Sequence, residues 1–272
     1  MAVDWSVVDN YYDRIAHLYD ATRPLPTWVS DQIADRILQQ VEATPQTRFL
    51  EPGIGTGRTG FPLIKMGYSY TGIDISINMM NELKAKFPQM PKNLNLIQGD
   101  ASHLPFTDDA FDVVLTTHML HCLTDPLMGL SEIRRVLNST GVFIACENLL
   151  SARQQEIWAA FSKIIRRYPA KEKARIEDKF NPFGNALQAK LQSQGAVVEK
   201  ITLAEWQQTE SVEEILNAFQ SKAFGLCWLI SEVDFQEAIK AFEQWCIDRF
   251  GSFEATFANN FQFDVMIARH WS

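Results

Sequence analysis

The chain has 272 residues, of which 46% are hydrophobic and 21% are charged, a composition typical of a soluble globular protein. Its formal net charge of −8 argues against nucleic acid as a partner, since that role would need a strongly segregated basic face. We expect a cytoplasmic protein without integral membrane association, because no bilayer-length apolar run or secretory leader is visible and the four cysteines are scattered.

The first predicted elements are two helices, over residues 6–20 and 26–41, where apolar residues recur at helical spacing. From Arg48 onward, short apolar runs alternate with helical segments. The runs that predict strands are RFLE (48–51), YSYTGID (68–74), LNLIQGD (94–100), FDVVLTT (111–117) and GVFIACE (141–147). The helices predicted between them cover residues 57–66, 76–87 and 125–137. This alternation predicts βαβ units with right-handed crossovers and a parallel sheet.

The alternation ends after residue 148. Residues 149–194 and 208–250 are helical in character, and two further strands are expected within 195–207 and 260–271. We therefore predict an α/β fold: a doubly wound, mostly parallel seven-stranded sheet with an antiparallel last strand, plus a helical cap insertion. All of it would form a single domain, with N-terminal helices in 1–46 and the core in 47–148.

A glycine-rich loop follows the first predicted strand, in FLEPGIGTGR at 49–58. Gly53, Gly55 and Gly57 alternate there, which allows a tight turn and lets a ligand approach the backbone. The predicted helix behind the loop would offer free N–H groups to a polar ligand. The loop also fits the dinucleotide pattern G-x-G-x-x-G through its last two glycines and Gly60, so a nicotinamide-dependent reductase is the alternative.

Three acidic residues stand at the ends of successive predicted strands, where open α/β sheets bind ligands. Glu51 precedes the glycines and would repel a pyrophosphate but favour a ligand with positive charge, such as a sulfonium. Asp74 suits both hydroxyls of a ribose, a feature that dehydrogenases share. Asp100, followed by a Leu-Pro-Phe segment, suits an adenine ring whose exocyclic amine it would bind while apolar side chains enclose the base.

Residues 48–147 resemble the class I S-adenosylmethionine-dependent methyltransferases, particularly the group around the quinone-biosynthesis C-methyltransferases. The matching segments are FLEPGIGTG, TGIDIS, GDASHLPFTDDAFDVVLTTHMLH and the helix DPLMGLSEIRRVL before GVF. The N-terminal YYDRIAHLYDATR resembles the segment that closes over the cofactor in that group. The chain departs from the family at Pro52 and Ile54, where an apolar residue and Cys or Ala are common.

The resemblance implies S-adenosylmethionine as the cofactor and no metal, and it assigns cofactor contacts residue by residue. The implied contacts are Glu51, Gly53 and Gly55 for the methionine portion, Tyr19 and Arg23 for its carboxylate, Asp74 with Ile75 and Met79 for the ribose, Asp100 and Ala101 for the adenine, and Thr117 and His118 beside the methionine or the sulfonium. A guanidinium such as that of Arg23 pairs bidentately with a carboxylate.

The expected reaction is methyl transfer to O, N or C of a small, partly apolar metabolite. His118 and His121 are the candidate bases, because an imidazole titrates near neutral pH; packing, cofactor contact and metal ligation are the other interpretations. A cofactor-binding partner subunit without catalysis is a third interpretation of the chain, which the intact acid set disfavours. Aromatic side chains of the cap could line an apolar substrate pocket or pack in its core; they are Trp158, Phe180, Phe183, Phe224 and Trp228.

Overall fold

The computed structural model of the chain describes residues 5–149, 151–169 and 184–271. Seven strands form one sheet in the order β3-β2-β1-β4-β5-β7-β6, with an antiparallel last strand. The strands are β1 (Arg48–Pro52), β2 (Ser69–Asp74), β3 (Leu94–Gln98), β4 (Phe111–Thr117), β5 (Leu137–Leu149), β6 (Val197–Ser211) and β7 (Thr256–Arg269). The predicted fold class is confirmed.

Helices lie between the strands in the alternation that the sequence predicts. Within the described ranges they are α1 (Trp5–Tyr19), α2 (Thr27–Gln40), α3 (Gly60–Lys65), α4 (Ile77–Ala85), α5 (Pro126–Val136), α6 (Ala152–Ile165), α7 (Gly184–Ser193), α8 (Val212–Gln220) and α9 (Glu232–Phe250). Two short 3-10 turns cover Leu120–Cys122 and Gly225–Trp228. No helix in the described ranges is long and apolar enough to cross a membrane.

The centre of the sheet is built from near-continuous apolar strands, because parallel strands are buried on both faces. Phe49 of β1 pairs with Tyr70 of β2 on one side and with Val113 of β4 on the other, and all three side chains are buried. The strand order reverses between β1 and β4. In open α/β sheets such a switch point opens a crevice at the carboxyl ends of the strands, and ligands bind there.

Local sequence signals determine where the helices beside this crevice begin. Ser76 caps α4 by accepting a hydrogen bond from the Met79 N–H at 3.1 Å. Asp125 caps α5, whose first residue is Pro126, a residue favoured at that position because its missing N–H would have no helical partner. Both helices therefore start directly after the segments that face the crevice.

Several elements differ in extent from the sequence expectation. Strand β5 begins at Leu137 and β7 at Thr256, each earlier than predicted. Two further differences have a structural reason. The helix predicted over residues 57–66 is a six-residue helix that begins at Gly60, because Gly53, Gly55 and Gly57 all adopt positive φ and keep the chain in a turn. Strand β6 extends to Ser211, several residues beyond the predicted strand end. Its polar stretch 207–210 follows the strand course because β7 lies beside it as a hydrogen-bonded neighbour.

The chain divides into two compact units, and each long strand β6 and β7 contributes to both. Of the described residues, the first unit comprises 5–148, 184–204 and 262–271, and it holds an apolar core around β1, β4 and β5. The second comprises 149, 151–169 and 205–261 and has its own core between α6, α8 and α9.

Aromatic residues dominate the core of the second unit. Phe161, Phe219 and Phe242 are fully buried, with the Phe161 ring 4.4 Å from that of Phe219 and 5.0 Å from that of Phe242. Trp158 and Phe224 both pack against Phe219 in this cluster. Of the other aromatic residues considered for a pocket, Trp228 donates its indole N–H to the Lys222 carbonyl at 2.9 Å, and residues 180 and 183 lie outside the described ranges.

Candidate ligand-binding site

A cavity opens at the switch point, at the carboxyl ends of β1, β2 and β4 and beneath α1. Its empty space, counted out to the open mouth, is about 850 Å³. The structure brings together eleven of the thirteen residues predicted for the site: Tyr19, Glu51, Gly53, Gly55, Asp74, Ile75, Met79, Asp100, Ala101, Thr117 and His118. Arg23 and His121 are not among the residues that line it.

Asp74, at the end of β2, anchors the glycine loop that follows β1. Its carboxylate accepts the Gly55 N–H at 2.7 Å and the Ser76 N–H at 2.9 Å. Gly55 makes this contact with φ of +53°, a conformation that L side chains rarely adopt. Burial raises the pKa of Asp74, while the bonds from the two N–H groups lower it. The acid is thus held at the cavity, with Oδ2 bonded to the glycine loop and Oδ1 to the start of α4.

Glu51 is a buried acid whose side chain is 1% exposed. It accepts the Tyr70 hydroxyl at 2.7 Å and the Thr117 hydroxyl at 3.5 Å. Burial raises the pKa of Glu51 to about 8, with the two hydroxyl bonds lowering it and the nearby Asp74 raising it further. Among the described residues no cation forms a salt bridge with Glu51, so a positively charged ligand would stabilise its ionised form.

Asp100 lies two residues past the end of β3 and accepts the Ser102 N–H at 2.8 Å. The loop beyond it is fastened to α5 by Arg135, whose guanidinium donates to the carbonyls of Leu104 at 3.0 Å and Phe106 at 2.7 Å. The sequence predicts that the Leu-Pro-Phe segment encloses a base, and its placement bears on that prediction. The Leu104 side chain is buried in the core, Phe106 packs against that core, and neither lines the cavity.

The two candidate bases have different surroundings. His118 follows β4 with φ of +51° and lines the cavity, and burial together with Arg58 lowers its pKa to about 3. Its imidazole is therefore neutral at physiological pH and a weak proton acceptor there. His121 is exposed and lies outside the cavity lining.

Arg58 is a lining residue that the sequence reasoning did not single out, although it is the last letter of FLEPGIGTGR. Burial lowers the pKa of Arg58, while a hydrogen bond with Tyr19 and the charge of Asp20 raise it. Arg23, the predicted carboxylate partner, lies over the Tyr19 ring at 4.3 Å and donates to the Thr22 hydroxyl at 2.9 Å. Of these two arginines, Arg58 is the one among the residues that line the cavity.

Helix α1 closes one side of the cavity through side chains that the sequence did not identify. The Tyr12 hydroxyl lies 3.0 Å from Cys122 Sγ, and both residues line the cavity. Asp13 accepts the Ser76 hydroxyl at 2.5 Å, directly beside the predicted ribose contact Ile75. The segment YYDRIAHLYDATR carried the signal for this placement through its resemblance to a covering segment.

The lining combines a polar set with apolar walls. Its formally charged members are three acids and one arginine: Glu51, Asp74, Asp100 and Arg58. This excess of acid favours a ligand with cationic character and disfavours a dinucleotide pyrophosphate. No group of three or more histidine, cysteine or acidic side chains in the described part of the chain is arranged to hold a metal ion.

Comparison with known proteins finds a family that the central residues match. Residues 50–145 match the family described as a methyltransferase domain. A demethylmenaquinone methyltransferase of Streptomyces avermitilis is 30% identical over 162 residues, which are 59% of this chain and 66% of that protein. The chain therefore spans less than two thirds of the length of that curated relative, and 56% of the length of the one from Renibacterium salmoninarum.

Solved structures share the fold. The YcgJ protein of Bacillus subtilis aligns with a TM-score of 0.56 at 16% identity, over 87% of this chain and 97% of that one. The (4+2)-cyclase SpnF aligns with a TM-score of 0.50 at 17% identity, over 88% of this chain and 80% of its own. Because both identities are low, these likenesses show a common fold and leave the reaction open.

Proposed function

We propose that this protein, whose residues 50–145 match a methyltransferase-domain family, transfers a methyl group from S-adenosylmethionine to O, N or C of a small, partly apolar metabolite. The observation that carries the proposal is the acidic lining at the switch point. Glu51, Asp74 and Asp100 reach one cavity from neighbouring strands, and Arg58 is its single charged basic side chain among the described residues.

The lining fits the chemical groups of that cofactor. Glu51 would bind the ammonium group of the amino-acid portion and Arg58 its carboxylate, because the two side chains are the acid beside the glycine loop and the cavity's guanidinium. Asp74 would accept from the ribose hydroxyls with the second lone pair of each carboxylate oxygen, since Gly55 and Ser76 each occupy only one. Asp100 would accept from the adenine amine.

S-adenosylmethionine, when bound, supplies an activated methyl group on a sulfonium. The protein's part is to orient the reactants and to exclude water, which together account for much of the rate in such transfers. His118 would contribute a neutral imidazole that contacts cofactor or acceptor, since its lowered pKa makes it a poor base. An acceptor group that is already acidic would therefore suit this site.

The acceptor is a further part of the proposal. The relatives' printed name, demethylmenaquinone methyltransferase, makes a partly apolar aromatic acceptor one candidate class. SpnF, a cyclase by name, has the same fold, so methyl transfer has to be tested separately from cofactor binding. The two alternatives, a nicotinamide-dependent reductase and a binding subunit without catalysis, are outcomes of the following experiment.

The test is a ligand panel measured by thermal unfolding and calorimetry. S-adenosylhomocysteine at about 100 times its dissociation constant should stabilise the fold by about 2.7 kcal/mol, because it binds only the native state. NADH and NADPH should not stabilise it. Stabilisation by a nicotinamide cofactor alone would refute the proposal, and cofactor binding without methyl transfer to any acceptor tried would favour the partner-subunit alternative.

A matched pair of variants tests whether the ligand binds in the cavity. Asp74→Asn should weaken S-adenosylhomocysteine binding by about 1.5–3 kcal/mol, the range for a hydrogen bond to a charged group. Asp31→Asn removes one carboxylate of the same kind from the exposed face of α2 and should leave binding unchanged. Equal effects of the two changes would mean that net charge, and no contact at Asp74, controls binding.

A further inference from the structure

Tyr70 is a buried tyrosine whose hydroxyl is hydrogen-bonded to Glu51. It lies on β2, is 1% exposed, and donates to Glu51 Oε2 at 2.7 Å. Its ring stacks on that of Phe49 with 5.7 Å between the centroids and 13° between the planes. Tyr70 does not line the cavity, whereas Glu51 does. The tyrosine therefore holds the acid from the side away from the ligand.

The other oxygen of Glu51 has a looser environment. Oε1 accepts the Thr117 hydroxyl at 3.5 Å, and that hydroxyl also lies 3.0 Å from the Thr59 hydroxyl. Both threonines line the cavity. Since the partner of Oε1 faces the cavity and the partner of Oε2 does not, Oε1 is the oxygen that a ligand can reach.

The geometry of the pair is fixed by its surroundings. A Cβ atom added at Gly60, the first residue of α3, would lie 2.6 Å from both Glu51 Oε2 and the Tyr70 hydroxyl. The helix thus packs directly on the hydrogen bond and leaves no room for either side chain to turn away.

We propose that Tyr70 is a positioning residue that holds Glu51 with Oε1 presented to the cavity, where it binds the ammonium group of S-adenosylmethionine. This inference rests on the proposed function and adds a residue that touches neither cofactor nor substrate. Without the Tyr70 hydroxyl, Glu51 would lose its one short hydrogen bond and the carboxylate would be harder to form.

The consequence is a dependence of ligand binding on pH. Burial raises the pKa of Glu51 to about 8, and the bond from Tyr70 is the largest effect that lowers it. Below that pH the acid is mostly protonated, so binding of an ammonium group must first release a proton. Affinity should therefore rise about tenfold per pH unit below the pKa of Glu51 and stop rising above it, where the ligand's own ammonium group also begins to lose its proton.

Other titratable groups surround Glu51 on several elements. Their effects on the pH dependence of binding can be separated from that of Glu51. Asp74 on β2 also has a pKa raised by burial, and Cys146 on β5 lies close enough to act on Tyr70. His118 after β4 is neutral over this pH range because its pKa is about 3, and Arg58 in the glycine loop stays charged. The phenols of α1 that reach the cavity are Tyr12 and Tyr19. Removing the Tyr70 hydroxyl leaves all of these groups in place.

The experiment measures S-adenosylhomocysteine binding by calorimetry from about pH 6 to about pH 9 in wild type, Tyr70→Phe and Tyr68→Phe. Tyr68 is the matched control, because its ring packs edge-on against the same Phe49 at 5.6 Å and makes no bond to Glu51. Tyr70→Phe should weaken binding about tenfold near pH 7. The ratio of its dissociation constant to that of wild type should fall toward one near pH 9. Tyr68→Phe should match wild type throughout.

Different outcomes separate the two proposals. A ratio that stays constant with pH means that Tyr70 only supports the fold, and it overturns this inference while leaving the proposed function intact. Absence of binding in wild type at every pH overturns the proposed function instead. Two further measurements apply even if Tyr70→Phe folds poorly. Glu51→Gln should abolish the rise of affinity with pH. Replacement of Tyr70 by 3-fluorotyrosine, a stronger hydrogen-bond donor, should move that rise to lower pH. A shift to higher pH would contradict the inference.

Discussion

Two arginines near the cavity illustrate how much depends on the placement of a single side chain. Arg58 is among the residues that line the cavity, whereas Arg23 is not and lies over the Tyr19 ring at 4.3 Å. Both arginines are half-buried. The resemblance assigns the cofactor carboxylate to Arg23, but the structure presents Arg58 to the space that a ligand would occupy.

We therefore predict that Arg58→Ala weakens S-adenosylhomocysteine binding by about 1.5–3 kcal/mol, because a charged hydrogen-bond partner is lost. Arg23→Ala should cost less than about 1 kcal/mol, as expected for a cation acting through its neighbours. Isothermal calorimetry on both variants, with unfolding midpoints to verify folding, measures the difference. A larger loss in Arg23→Ala would restore the assignment made by resemblance.

At the level of elements, α1 is tied to the parts of the chain that surround the cavity. Asp13 binds the cap residue of α4, and Asp20 accepts the Thr56 hydroxyl at 2.6 Å beside the glycine loop. Lys86 binds both of these residues: its ammonium group pairs with Asp20 at 2.5 Å and donates to the Thr56 carbonyl at 2.7 Å. Since these partners adjoin the residues proposed to hold cofactor, ligand binding and α1 docking should stabilise each other.

This coupling predicts that amide hydrogen exchange in residues 11–23 slows when S-adenosylhomocysteine binds. Residues 151–169, in the second unit that holds none of the cavity lining, serve as an internal control that should not change. Asp13→Ala should speed exchange in α1 and raise the dissociation rate of the ligand, because it removes the contact with Ser76. Unchanged exchange in α1 with ligand demonstrably bound would mean that the helix is a fixed layer.

The chain divides into two compact units, and all the residues that line the cavity belong to the first unit. The second unit has an aromatic core centred on Phe161, Phe219 and Phe242. The stability of the second core should therefore be separable from cofactor affinity.

Phe161→Ala is expected to lower the free energy of unfolding by about 3–5 kcal/mol, the cost of removing a fully buried aromatic side chain. Its affinity for S-adenosylhomocysteine should stay within about twofold of wild type below the unfolding transition. Urea unfolding and calorimetry measure the two quantities. Val233→Ala, at a side chain that is 74% exposed in the same unit, is the control and should change neither. A large loss of affinity in Phe161→Ala would show that the second unit supports the cofactor site.

Local patterns along the chain were sufficient to predict the sheet, the glycine loop and the three acids. Strand and helix periods are local properties, and the carboxyl ends of parallel strands necessarily meet at one edge. The strand pattern alone therefore brought Glu51, Asp74 and Asp100 together. The predicted helices 76–87 and 125–137 also begin at Ser76 and Asp125. A helix start can be predicted locally because capping depends on neighbouring residues alone.

Which side chains face the ligand and which support them depends instead on tertiary packing. The bond from Tyr70 to Glu51 joins different strands, Arg58 and Arg23 differ by how α1 docks, and Leu104 turned into the core instead of the cavity. The polar end of β6 became strand through its neighbour β7. Each of these outcomes depends on contacts between residues far apart in the chain, where packing and burial override the local pattern.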